Sequence, residues 1–139
     1  MGYLLTEEKR KELVAAAVAA KAGAYCKYSQ FRVGAALLTT DGEIITGANV
    51  ENASYGLTIC AERTAVFTAV TALPAKPRPF AAMAIAADVD PPVSPCGACR
   101  QVLAELGTAE LEVIMVGADG TTVCRTLGEL LPLSFSLSR

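Results

Sequence analysis

The chain has five cysteines and no histidine, and three of those cysteines stand where helices are expected to begin. Cys96 and Cys99 lie in Cys96-Gly-Ala-Cys99, and Cys60 opens Cys60-Ala-Glu62-Arg63, thirty-six residues upstream. Positions i and i+3 of a helix share a face, so both sulfurs of the Cys-x-x-Cys group point the same way. Thiolates at a helix N-terminus are stabilised by unpaired backbone N–H groups and by the helix dipole. A fold that sets two helix N-termini face to face would gather Cys60, Cys96 and Cys99 around one tetrahedral metal. Three protein ligands leave a fourth position for water, the pattern of a catalytic rather than a structural zinc. On the residues alone three other readings stay open. Cys-x-x-Cys also serves as a redox dithiol or as plain core, and Cys26 or Cys124 would be the fourth ligand of a structural zinc. Neither lies in a paired ligand spacing, and Cys124, alternating within a strand, reads as a small buried apolar side chain.

The rest of the pattern supplies a frame for those helix starts. Thr6 reads as the cap of a helix with Glu7 and Glu8 in its first turn, apolar at Leu13, Val14, Ala17 and Val18, and stopped near Gly23. Phe31 to Thr40 and Glu43 to Val50 read as strands joined by the turn Asp41-Gly42, followed by a polar loop from Asn49 to Leu57. Ile59 to Leu73 reads as a helix, Pro74 to Pro79 as a connection, and Phe80 to Ala87 as a buried strand of the parallel type. Ser94 as cap and Pro95 at the first helical position open a helix running to about Leu106. Leu111 to Val116 and Thr121 to Arg125 are two further strands, and Thr126 to Leu131 a short last helix. The order α-β-β-α-β-α-β-β predicts an α/β fold of three layers, α/β/α, around a mixed five-stranded sheet.

One hundred and thirty-nine residues make one domain, 1–139. Twelve Lys and Arg against fourteen Asp and Glu leave a net charge of −2, which argues against a nucleic-acid partner. Apolar residues are 53 % and charged ones 19 %, too apolar for disorder and rich for a small monomer, so apolar surface is expected to be buried between subunits. The longest apolar runs are eight residues, against about 20 for a membrane span. The opening turns polar at Glu7 without a signal-peptide pattern, so a cytoplasmic setting is expected, where disulfides are rare.

Cys60-Ala-Glu62 with Pro95-Cys-x-x-Cys99 resembles the zinc-dependent nucleoside and nucleobase deaminases, in the form where Cys replaces His. Phe31-Arg-Val-Gly-Ala-Ala-Leu-Leu, Gly47-Ala-Asn49-Val-Glu51-Asn52-Ala-Ser-Tyr55 and Cys96-Gly-Ala-Cys-Arg-Gln101 resemble the small tetrameric class of cytidine deaminases. The likeness runs from about Leu13 to Phe135.

That resemblance implies one Zn²⁺ per subunit on Cys60, Cys96 and Cys99, and hydrolysis of cytidine and deoxycytidine to uridine and deoxyuridine plus ammonia, in pyrimidine salvage. Zinc makes its water acidic enough to attack C4 of the base, and Glu62 shuttles protons from that water to N3 and to the leaving amine. The main-chain N–H of Ala61 helps hold the base, Asn49 and Glu51 hold the sugar 3′-hydroxyl, and Phe31 packs against base or sugar. Three thiolates on Zn²⁺ sum to −1, so Arg63 and Arg100, one on each helix, are expected to draw charge off the sulfurs. The class implies a homotetramer with shared sites, with Phe135 reaching a neighbour's site and Tyr55 near that contact. The chain departs from the class in its short end after Phe135, and in Lys27 and Arg32 where proline is usual.

Overall fold

The computed structural model describes residues 5–72 and 80–137. Thr6 caps α1 (Glu7–Ala20) through a hydrogen bond from the Lys9 N–H to its hydroxyl at 3.1 Å. A short 3₁₀ turn, Lys21–Gly23, follows. Then come β1 (Val33–Thr39), β2 (Ile44–Ala48), α2 (Ala61–Ala72), β3 (Phe80–Ala87), α3 (Gly97–Leu106), β4 (Glu112–Val116), β5 (Thr122–Thr126) and α4 (Leu127–Leu130). The strands form one mixed sheet in the order β2-β1-β3-β4-β5, parallel only between β3 and β4 and antiparallel elsewhere. The α/β architecture is the expected one. The expected connection from Pro74 to Pro79 lies outside the described residues.

The sheet separates two cores by the alternation of each strand. Met83 and Ile85 of β3 face a cluster that includes Ala65 and Val66 of α2, Leu103 of α3 and Leu127 of α4. Ala82, Ala84 and Ala86 face Leu13 and Ala17 of α1 on the other side. Burying one such Leu, Ile or Val contributes about 1.5–3 kcal/mol. Two glycines let helices approach closely. A Cβ on Gly34 would lie 2.1 Å from the Ala17 carbonyl oxygen of α1, and one on Gly47 would lie 2.5 Å from the Ala65 nitrogen of α2. Gly47 therefore presses α2, the helix that follows Cys60, onto the sheet edge.

Three local expectations are corrected. α3 begins at Gly97 rather than Pro95, and Cys96, extended at φ −67° and ψ 169°, stands at the cap position. The Ser94 hydroxyl makes no cap because it accepts from Arg100 Nη2 at 2.9 Å. β1 begins at Val33 rather than Phe31, since the Asn49 side chain takes up the Phe31 carbonyl and the Val33 N–H. Cys124 is exposed, because β5 is an edge strand, and its sulfur accepts from Arg10 Nη1 at 3.4 Å.

Candidate active site

The first turn of α2 closes on Cys60, whose carbonyl accepts the Thr64 N–H at 3.0 Å, and that of α3 closes on Cys96, whose carbonyl accepts the Arg100 N–H at 2.9 Å. The two helix starts meet as expected. The Cys60 and Cys96 sulfurs are 3.8 Å apart and those of Cys96 and Cys99 are 3.5 Å apart. All three lie within 4.8 Å of one another. Tetrahedral zinc with bonds of about 2.3 Å separates its sulfur ligands by about 3.8 Å. The donor set and its spacing thus fit one zinc ion.

The electrostatics of the cluster point the same way. The Cys60 thiol is pulled down to about 5, first by its hydrogen bond with Cys99 and then by the Arg63 guanidinium. The Cys99 thiol is pushed far above its usual range by the same hydrogen bond, by burial and by Glu62. One thiolate is favoured, and a second beside it is opposed. A divalent cation removes that opposition.

Glu62, in the first turn of α2, is only 5 % exposed. Burial pushes its carboxyl up to about 7, against the pull of its own backbone N–H, with the Cys60 thiolate adding a smaller push. Arg63 Nη2 donates to Cys60 Sγ at 3.5 Å, and that contact raises the guanidinium pKa further. Its Nε is buried without a hydrogen-bond partner among the described residues. Arg100 is a correction. Its guanidinium donates to the carbonyls of Pro95 at 2.8 Å and Leu130 at 2.7 Å and to the Ser94 hydroxyl, and no hydrogen bond to a thiol is among these contacts. The Cys96 carbonyl holds the Arg100 N–H, while the Arg100 side chain reaches across to the C-terminal α4.

A cavity of about 230 Å³ opens beside the thiols. Its lining joins Cys60, Ala61, Glu62 and Cys96 to Phe31 and Asn49, six of the expected site residues. Val33, Thr58, Ile59, Ile85, Val93 and Ser94, which the sequence did not mark, complete it. Ile85 and the Val93–Ser94 loop lie at and beyond the carboxyl end of β3, where open α/β sheets place their ligand crevices; that rule was the available signal. Asn49 is buried, its Oδ1 accepting from Val33 N and its Nδ2 donating to the Phe31 carbonyl, both at 2.9 Å. Glu51, Tyr55 and Phe135 do not line the cavity. Glu51 is buried and accepts from the N–H groups of Tyr28 and Ser29, both at 3.0 Å, and from the Ser29 hydroxyl. Phe135 is 68 % exposed, with its carbonyl held by Gln101 Nε2 at 3.1 Å, and Tyr55 is 76 % exposed.

A three-stranded patch that the sequence did not reveal ties these parts together. Val50 exchanges two hydrogen bonds of 3.0 Å with Ile59, immediately before Cys60. Its flanking residues pair with Tyr25: the Tyr25 N–H donates to the Asn49 carbonyl at 2.9 Å, and the Glu51 N–H to the Tyr25 carbonyl at 2.8 Å. The segment carrying Asn49 and Glu51 is thereby fixed to the start of the α2 helix.

The family profile of the cytidine and deoxycytidylate deaminase zinc-binding region matches residues 7–115. A cytidine deaminase from Halalkalibacterium halodurans is 51 % identical over 127 residues, 91 % of this chain and 94 % of that protein. One from Sporosarcina psychrophila is 47 % identical over 91 % of this chain and 90 % of that protein. The crystal structure of cytidine deaminase from Burkholderia pseudomallei superposes with a TM-score of 0.85 at 50 % identity, covering 90 % of this chain and 98 % of that one.

Proposed function

The chain belongs to the cytidine and deoxycytidylate deaminase family, and from that premise we infer that its cavity binds cytidine or deoxycytidine and hydrolyses the bond between C4 and the amino group. Water enters, ammonia leaves, and uridine or deoxyuridine remains. One observation carries the reading: three thiols lie at zinc-ligand spacing, and two of them, Cys60 and Cys96, line a largely apolar cavity together with the buried carboxyl of Glu62.

Cys60, Cys96 and Cys99 would hold one zinc, which when bound supplies water acidic enough to attack near neutral pH. Glu62 acts as the proton carrier. Buried and raised to about 7, its carboxyl can both take and return a proton near neutrality. It would take a proton from the water, pass one to ring N3, and later protonate the departing amine. Ala61 stands at the first position of α2, where the main-chain N–H has no intrahelical acceptor and is free for the base. Phe31 forms an apolar wall. Asn49 retains one N–H and one lone pair beyond its two internal bonds, and with Glu51 would hold the sugar hydroxyl. Arg63 offsets charge on Cys60.

The whole chain, 1–139, serves as one catalytic domain of pyrimidine salvage in the cytoplasm. Among the described residues no helix is long and apolar enough to cross a membrane. The exposed Tyr55, Leu57 and Phe135 support assembly into a homotetramer in which Phe135 reaches a neighbour's cavity and Tyr55 sits near that contact. Ultraviolet monitoring of cytidine, deoxycytidine, CMP and cytosine tests the substrate. The two nucleosides should turn over with one zinc per chain, and CMP and cytosine should be poor. Equal rates on CMP would overturn the substrate reading, and a monomer by sedimentation would overturn the shared site.

A further inference from the structure

Ser29 lies in the loop before β1, outside the cavity lining, and none of the motif residues pointed to it. Its contacts are unusual for a loop serine. The main-chain N–H donates to Glu51 Oε1 and the hydroxyl donates to Glu51 Oε2, so one residue grips both carboxylate oxygens. The same hydroxyl accepts the N–H of Phe31 at 3.0 Å. Tyr28 supplies a second N–H to Oε1. A carboxylate has about four acceptor sites, so with three filled roughly one remains, on Oε2. Asn49, two residues before Glu51, holds the next stretch of the same loop through Phe31 and Val33.

We propose that Ser29 is a positioning residue that orients the Glu51 carboxylate, leaving one acceptor site of Oε2 for a sugar hydroxyl of the substrate, and that it couples this orientation to the Phe31 wall. The inference rests on the reading of Glu51 as the sugar-binding carboxylate. The hydroxyl does two things in this role. It removes rotational freedom from Glu51 before substrate arrives, which lowers the ordering cost of binding. It also favours the charged form of Glu51, since the bond from Ser29 is the foremost cause of the lowered carboxyl pKa. Ser29 touches neither the base nor the thiols, so its loss should weaken sugar recognition and leave the proton transfers of Glu62 intact.

The experiment compares Ser29→Ala, Ser29→Thr and Glu51→Gln with the unmodified zinc-loaded protein, on cytidine and on 3′-deoxycytidine. With Ser29→Ala, KM for cytidine should rise about three- to tenfold with little change in kcat, the range expected for losing one such hydrogen bond. On 3′-deoxycytidine the rise should disappear, because the acceptor has nothing to hold. Ser29→Thr, which keeps the hydroxyl, should restore the cytidine KM. An equal penalty on both nucleosides, or a loss of kcat alone, would overturn the proposal and leave Ser29 a structural loop residue. Glu51→Gln separates the two readings. If its penalty depends on the 3′-hydroxyl while that of Ser29→Ala does not, only the Ser29 proposal fails. If its penalty is equal on both nucleosides, the sugar-binding reading of Glu51 fails and takes the proposal with it. Thermal midpoints and zinc content of each variant show whether the fold is kept, and a fold rescued by Thr but not Ala, without any hydroxyl dependence in KM, also overturns it.

Discussion

The α2 and α3 helices begin alike and are fixed differently. Each starts with a cysteine whose carbonyl closes the first turn, and each has an arginine in its first turns. At the α2 start, Arg63 turns inward to Cys60 Sγ, Glu62 is buried, and the preceding Ile59 is strapped to Val50 between the two expected sugar-binding residues. At the α3 start, Arg100 turns away from the sulfurs and clamps Pro95, Ser94 and Leu130, while Cys96 remains exposed. The α2 end holds a buried carboxyl and an arginine in contact with a thiol sulfur. The α3 end holds two thiols on a mechanical frame. Two arginines of the same expected role are separated by their surroundings: one faces a cysteine sulfur, the other faces the carbonyls of Pro95 and Leu130.

The sharpest way to break this contrast is at Glu62. Glu62→Gln keeps shape and removes the proposed proton carrier, so kcat should fall about 10²–10⁴-fold while zinc content and thermal midpoint stay near normal. Turnover close to that of the unmodified protein would show that the charge work is done elsewhere. Next in size comes Arg63→Gln. Without that cation Cys60 loses the hydrogen bond that orients its sulfur, so zinc should be held less tightly or turnover slowed by about 10–100-fold, and because the cluster is then more negative the pH–rate profile should move to higher pH. Zinc titration and a pH profile check both. Arg100→Gln should do neither. It removes donors from the half-buried contacts with Pro95 and Leu130, and should lower stability by about 1–3 kcal/mol in urea unfolding with little change in the pH profile. A shifted profile would mean that the two arginines act alike after all.

The same contrast shows what the sequence made legible. The three thiols could be placed together because helix spacing and helix N-termini fix where such side chains point, and Glu62 joined them through the resemblance to the deaminases. The mixed sheet with helices on both faces followed from strands, turns and crossovers that repeat known local patterns, whereas the strand order β2-β1-β3-β4-β5 came only from the structure. Gly47, seen only as part of a motif, proves to be the contact that seats α2. What escaped depended on partners far apart in the chain. Arg100 reaches Leu130 thirty positions away, and Ser29 reaches Glu51 twenty-two positions away. No local spacing encodes either pairing. The α3 boundary failed for a related reason. Ser94 has the chemistry of a cap, but Arg100 occupies its hydroxyl, and the extended backbone of Cys96 sets the helix start two residues later. Tyr55 and Phe135 are exposed and do not line the cavity, so no contact among the described residues speaks to the role the resemblance implies for them.

The smallest expected effect lies at the far side of the Arg100 clamp. α4 is a single turn, and its start is held by a capping box in which the Glu129 N–H donates to the Thr126 hydroxyl while the Glu129 carboxylate accepts the Thr126 N–H at 2.8 Å. That N–H is the foremost cause of the lowered Glu129 pKa, with the Thr126 hydroxyl and Arg125 adding to it. A carboxyl whose pKa is lower folded than unfolded contributes stability that is fully present above its unfolded value, about 4.3, and is lost as pH falls through the folded value. Glu129→Gln keeps an acceptor oxygen and deletes the charge. At pH 7 the variant should unfold at slightly lower urea than the unmodified chain, and the gap should close as pH drops below about 4. Turnover at pH 7 should be unaffected, because α4 is joined to the thiols only through the frame. A gap independent of pH would mean that the charge on Glu129 adds nothing to the box, and altered turnover would mean that the clamp transmits to the α2 side what the geometry keeps on the α3 side.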